Sequence, residues 1–531
     1  MTAALESPDT VLRSVLASPM TKALRTTLIE RCRAVLDALD AEEGRGNEAD
    51  DRGADLFEVA RAVEEAVGSS DDKLWLARSV IGANLPTDLE AQGLVMSFRL
   101  DGLWRALGPT IQSLRKATGD HPQVTIVRGQ TTIDVGETAG STYLSGIQRV
   151  VRETCRRWAH QSDALFIGWS ADERHLRRLT SDEHQSLVGD AGSAHAEVQD
   201  SPTVSQEDVE VLVPWEGTHL IPELVAVREK TPRLLTLNRY ARCQVGYIGF
   251  DCVPIMVSNT VHPGMITLFA RNLAAVRYAD RVATISHSTA DEYLGWRSMC
   301  HGRGPRGPEV KAIPLPVEAR IPDAESLRRA QRLLKLHDDP VVLVVGSHEP
   351  RKNHLAVVQA AELLWRDGLK FTLAMVGAGS WRAEAYDQAV AERIAAGRPL
   401  LSIRGLPDDL LWAAYHVADF TVFPSLHEGF GLPVAESLAA GTPAITSNFG
   451  SMREIVAPEG TPLGGLLVDP RDDHDLADAM RVLLTDAETR ERLIAETRSR
   501  PQRTWDDYAR ELWDYLVDGR APSTPADSLQ T

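Results

Sequence analysis

Residues 423–441, FPSLHEGFGLPVAESLAAG, set two glutamates, Glu428 and Glu436, on either side of a Gly-Phe-Gly turn with seven residues between them. The apolar DFTVFPS reads as a strand, LHEGFG as a turn, and LPVAESLAAG as a helix with Pro433 near its first position and Gly441 past its end. The helix N-terminus then emerges at the carboxyl edge of a sheet. Unpaired backbone N–H groups there, approached closely because Gly429 and Gly431 lack side chains, suit a phosphate. Two carboxylates facing a phosphate would repel it, so their use is to accept hydrogen bonds from neutral hydroxyls of the kind that sugars and riboses carry.

Outward from this stretch, short apolar runs alternate with helical patterns. PVVLVVGS, FTLAMVGAG, LLSIRG, TPAITS and GGLLVD do so in the second half, and VTIVRG, TTIDVG, ALFIGW, EVLVPW, QVGYIGFD, DRVATIS and VKAIPLP in the first. The pattern predicts an α/β protein of two doubly wound Rossmann-like domains, spanning 119–320 and 321–500, whose strand ends face a cleft. Residues 1–118 form an additional N-terminal helical segment, with apolar residues three and four apart, suited to capping or to assembly. The polar stretch 170–208 is expected to be a mobile, disordered insertion, and 501–531 a closing helix with a polar tail.

A chain of 531 residues, 43% hydrophobic and 25% charged, has material for two or three sizeable cores. A net charge of -18 argues against binding nucleic acid and against general attraction to an anionic membrane, so any membrane contact is local and peripheral. Five cysteines without CxxC pairing read as reduced thiols, and neither a leader nor a spanning segment is evident, which places the chain in the cytoplasm or at the inner face of its membrane. No metal motif is apparent; no metal site and no cofactor are expected.

In VLVVGSHEPRKNHLAVVQAAELL, Arg351 and Lys352 fall in the loop between a buried strand and a helix. Two cations at a strand's carboxyl end can hold a diphosphate and stabilise its charge as it departs. Together with the opening stretch, in this order, they make the chain resemble a retaining GT-B glycosyltransferase of family 4, of the bacterial mannosyltransferase kind. The likeness rests on GSHEPRKN, RGLPDDLLWAAYHVADFTVFPSLHEGFGLPVAESLAAGTPAITSN and VDPRDDHDLADAM, and more loosely on GIQRVVRE and DRVATISHSTADEY.

The resemblance implies a nucleotide-sugar domain in the second half and an acceptor domain in the first. Glu428 would contact hydroxyls of the donor sugar and Glu436 those of the ribose, Arg351 and Lys352 would grip the diphosphate, amides of Phe430, Gly431 and Leu432 would line phosphate and sugar, and the nucleobase would lie against Arg404, Gly405 and Leu406. Many members carry an arginine after the glycine that ends the first strand of this domain, where Ser347 stands here. In the loop GETAGSTYLSGIQRVVRE, Gly140, Ser141 and Gly146 would approach the donor phosphates, with a flexible cover over a helix end as the alternative. Arg149, Arg152, Arg156 and Arg157 make a basic helix face, either solvated or facing an anionic acceptor or a lipid headgroup. In YIGFDCVP the family's histidine is replaced by Phe250, which leaves Asp251, with His287 as a substitute base or a structural residue.

The expected reaction is transfer of a hexose, from a GDP-sugar rather than a UDP-sugar, to a glycan or lipid-linked acceptor in surface polysaccharide synthesis. A catalytically silent GT-B subunit supporting a partner is the rival. Expected partners are thus the nucleotide sugar and the acceptor, with a protein partner or self-association through 1–118 left open.

Overall fold

The structure is a computed structural model, which describes residues 8–40, 55–117, 121–141, 145–189, 210–300, 307–334, 339–379 and 382–519. Two sheets organise it. The first contains β1 (Val124–Arg128), β2 (Thr131–Asp134), β3 (Leu165–Trp169), β4 (Leu176–Arg178), β5 (Val211–Trp215), β6 (Thr218–Ile221), β7 (Gln244–Gly249), β8 (Arg281–Thr284) and β9 (Glu309–Ala312), in the order β1-β5-β4-β3-β2-β6-β7-β8-β9. Its β4 runs antiparallel to both neighbours, and the remaining pairs are parallel.

The second sheet contains β10 (Val341–Val345), β11 (Thr372–Val376), β12 (Leu400–Ile403), β13 (Phe420–Phe423), β14 (Ala444–Ser447) and β15 (Gly465–Val468), in the order β12-β11-β10-β13-β14-β15 and wholly parallel. Helices cover both of its faces, which is why VVLVV and TLAMV are continuous apolar runs rather than alternating ones. The strand order reverses between β10 and β13. Ligands of open parallel sheets bind in the crevice beyond such a reversal, and the loops leaving β10 and β13 are the two that sequence reading selects. The first sheet reverses between β2 and β6 in the same way.

The N-terminal helices Pro8–Leu16 through Leu103–Lys116 share one continuous core with the first sheet. The helix Asp71–Gly82 packs on β1 and β5, and Trp75 Nε1 donates to Thr236 Oγ1 at 3.2 Å. These helices are therefore a cap on the first sheet. The stretch predicted as a disordered insertion is ordered over its first part: β4 pairs with β3, and the helix Ser181–Val188 opens with a capping box between Thr180 and Glu183. Residues 190–208 of it lie outside the described residues. The closing helix, Trp505–Leu516, crosses back to the first domain, where Trp158 Nε1 donates to the Ala509 carbonyl and the Trp158 and Trp513 rings meet edge to face at 5.6 Å. No described helix is long and apolar enough to cross a membrane.

Candidate active site

After β13 the chain turns through Ser425–Gly431 into the helix Leu432–Ala439. Gly431 has φ +104°, a left-handed conformation that a side chain disfavours. At Gly429 a Cβ would stand 2.2 Å from the carbonyl oxygen of Phe250 in the other domain. The Gly429 carbonyl in turn accepts from Ser286 Oγ (2.6 Å) and Thr289 Oγ1 (3.0 Å), which fixes the turn against the first domain. Opposite it starts the helix Gly146–Gln161, where a Cβ on Gly146 would meet Leu432 Cδ1 at 3.3 Å. Two helix N-termini thus face one region of the cleft, each the positive end of its dipole.

Glu428, half-buried with its side chain 10% exposed, lies at the centre. Its Oε1 accepts from Lys352 Nζ (2.6 Å) and Ser425 Oγ (2.7 Å), and its Oε2 lies 2.7 Å from Arg351 Nη1. Burial pushes the carboxyl upward, but Arg351 and Lys352 outweigh it and hold the group down at about 2. For the Arg351 guanidinium, burial opposes the charge while Glu428 and Glu349 support it, and the net direction is upward. Ser347 donates to Glu349 Oε1 at 2.6 Å, and Glu349 also pairs with Arg351.

Glu436 is buried one turn into its helix. Tyr415 OH donates to Oε2 at 2.9 Å, and Arg149 Nη1 reaches Oε1 from the other domain at 2.5 Å. The basic helix face predicted from sequence is accordingly not a free surface. Arg149 crosses the cleft, Arg152 donates to the carbonyls of Thr138 and Ser141, Arg156 to that of Gly189, and Arg157 pairs with Glu153 and Asp506.

Asp251 is half-buried beside this group; loss of water around it raises its carboxyl above the usual range against the pull of Arg351. Phe250 joins the apolar core shared by the two domains, with Phe423 and Phe430, a place unsuited to a histidine's polar edge. Nearby stands a histidine that sequence reading missed: His427 Nε2 lies 2.7 Å from Glu292 Oε1, and Glu292 Oε2 accepts from the Cys252 amide. Burial lowers the His427 imidazole, yet Glu292 raises it further, so its net shift is upward. His287 takes another position, exposed at the start of a helix, where it lines a cavity of about 570 Å³ with Pro316, Phe430, Leu438 and Arg503.

Arg404, Gly405 and Leu406 follow β12. Arg404 is exposed and pairs with Asp387 at 2.9 Å, beside the turn after β11 where a Cβ on Gly379 would meet its guanidinium. The rings of His348 and Tyr386 pack at 4.2 Å next to this turn. In the first domain, Gly140 and Ser141 follow the short helix Gly136–Ala139, where the amides of Glu137 and Thr138 donate to Glu223 (3.1 and 3.0 Å). Beneath it Lys230 Nζ, fully buried, lies 3.5 Å from Asp134 Oδ1 and 3.6 Å from Glu223 Oε1. This charged floor at the first sheet's reversal was also missed. Its members, scattered from 134 to 230, form no motif.

Residues 327–500 match the glycosyl transferases group 1 family. Serotype-specific mannosyltransferase WbdA of Escherichia coli is 26% identical over 333 residues, which cover 61% of this chain and 39% of that protein. O-antigen chain mannosyltransferase B of Escherichia coli is 34% identical over 131 residues, 24% of this chain and 33% of that protein. The chain thus spans well under half the length of these relatives. Among solved structures, Anabaena HepE in complex with UDP and glucose matches with a TM-score of 0.51 at 12% identity, over 73% of this chain and 99% of that one. The fold is GT-B.

Proposed function

We propose that the chain is a retaining glycosyltransferase of family 4 that moves a hexose from a nucleoside diphosphate to a hydroxyl of a glycan or lipid-linked oligosaccharide in surface polysaccharide synthesis. The observation that carries the reading is the meeting of Lys352, Arg351 and Glu428 at the strand-order reversal, beneath two facing helix N-termini. A mannose from GDP-mannose is the favoured donor, in keeping with the names of the Escherichia coli relatives. UDP-hexoses are the second choice.

In this reading Lys352 and Arg351 hold the diphosphate and stabilise its growing charge, so that the side chains do what a metal ion would otherwise do. Amides of Phe430, Gly431 and Leu432 line the phosphates, with Gly140, Ser141 and Gly146 approaching from the other side. Glu436 reads the ribose, and Arg404, Gly405 and Leu406 flank the base, with Ser347 in the adjoining loop. Glu428 positions both cations and accepts from a sugar hydroxyl. Attack comes from the face the diphosphate leaves: the new glycosidic bond forms as the bond to phosphate breaks, and the acceptor's proton passes to the departing phosphate oxygen. The protein's share is positioning and charge stabilisation. Asp251 and the His427–Glu292 pair orient the acceptor side.

The chain would act in the cytoplasm or at the inner face of its membrane. Incubation with GDP-mannose or UDP-glucose, in the presence of a chelator, should release nucleoside diphosphate, and Lys352→Ala should lower that rate at least about a hundredfold. Lack of turnover with any sugar nucleotide and a range of glycan acceptors would instead favour the silent subunit.

A further inference from the structure

We infer that Arg149 is a cross-cleft positioning residue that shares Glu436 with the nucleotide: the ribose takes the carboxylate from the guanidinium, and the guanidinium moves to the diphosphate. The inference rests on the glycosyltransferase reading and assigns that site a cation from the opposite domain.

Four observations carry it. Arg149 belongs to the first domain and Glu436 to the second, yet they meet at 2.5 Å with side-chain exposures of only 26% and 7%. A buried ion pair of this kind adds little net stability, because both charges lose their water. A second role is therefore worth seeking. Tyr415 holds Oε2 from within the second domain, so Oε1 is the oxygen whose partner can be exchanged without unpacking that domain. A ribose diol binding to Glu436 and a guanidinium on Oε1 compete for the same acceptor.

The position of Arg149 decides where it goes. It lies in the first turn of the helix Gly146–Gln161, whose first residue abuts Leu432 at the start of the helix Leu432–Ala439. A guanidinium released there stands where the two helix N-termini approach each other, the region assigned to the diphosphate, with Asp408 and Glu153 as the other carboxylates that act on it. On the donor side, Ser347 brings no charge and donates its hydroxyl to Glu349, while Arg351 and Lys352 are both tied to Glu428. A third cation that arrives only with the first domain would make charge stabilisation depend on the two domains being together, and so couple chemistry to closure.

The test compares ligands with and without phosphate on Arg149→Ala and Arg149→Lys, after circular dichroism confirms folding. GDP is titrated beside guanosine, and UDP beside uridine. Removing the guanidinium frees Glu436, so the Ala variant should bind the nucleoside more tightly and the diphosphate more weakly, shifting the ratio of the two affinities by at least about tenfold. Its kcat for sugar transfer should fall by about tenfold or more, with Lys restoring part of both effects. A merely structural arginine would move both affinities together. Wild-type binding of a diphosphate with an unchanged ratio in the Ala variant would overturn this inference alone; absence of binding of either diphosphate by the folded wild type would overturn the glycosyltransferase reading and the inference with it.

Discussion

At Glu428 one carboxylate satisfies two half-buried cations, and its substitution should be felt in both stability and rate. Glu428→Gln removes the carboxylate that Arg351 and Lys352 share and leaves Arg351 with Glu349 alone as its ion-pair partner, which should cost about 3 kcal/mol in denaturant unfolding. The same pair predicts a pH dependence. The folded carboxyl sits at about 2 against an ordinary value of 4.5, so its contribution is fully present above pH 4.5 and is lost as pH falls toward 2. Wild-type stability should therefore drop across that window by on the order of 3 kcal/mol from this group, and Glu428→Gln should remove that part of the slope. An identical slope in the two proteins would show that the ion pair does not form. The residue scale is also where sequence is least complete. Glu428 and Lys352 could be chosen from local turn chemistry, but His427 and Glu292 are 135 positions apart and acquire meaning only when the domains touch. Among the arginines of one amphipathic helix, no charge pattern says which will reach across a cleft.

At the scale of elements, the turn between β13 and its helix has to be glycine at two places for different reasons. Gly431 needs its left-handed backbone, whereas Gly429 needs the absence of a Cβ against Phe250. Gly429→Val should force the domains apart at this point and lower transfer by about a hundredfold, because small displacements of reacting groups are costly. Its melting temperature should fall as well, because Phe250 and Phe430 belong to an apolar core that the two domains share. Equal activity would mean that the contact at Phe250 is not part of the working geometry. This turn was legible in sequence because strand, glycine turn, proline and helix each signal locally. By contrast β4 has three residues and no alternation to announce it, so the stretch around it read as an insertion; pairing with β3 and β5 makes it a strand.

For the whole molecule, the C-terminal helix is the strap that returns the second domain's chain to the first. Trp158 is fully buried under it, and Trp158→Ala should cost about 3–5 kcal/mol and loosen the helix, visible as faster amide exchange over 505–516. Unchanged exchange there would show that the helix is held elsewhere. The two-domain architecture was readable from the alternation of strands and helices, since each parallel strand must be followed by a crossover. That the N-terminal helices share a core with the first sheet was not readable, because an amphipathic face does not name its partner. The account as a whole claims that the crevice between β10 and β13 holds a nucleoside diphosphate. Calorimetric titration with GDP, UDP and ADP, in chelator, of the wild type and of Lys352→Ala tests it most directly. Selective binding of one diphosphate, weakened at least about tenfold by the substitution, is the expected result; equal affinities in the two proteins, or no binding by a folded wild type, would contradict it.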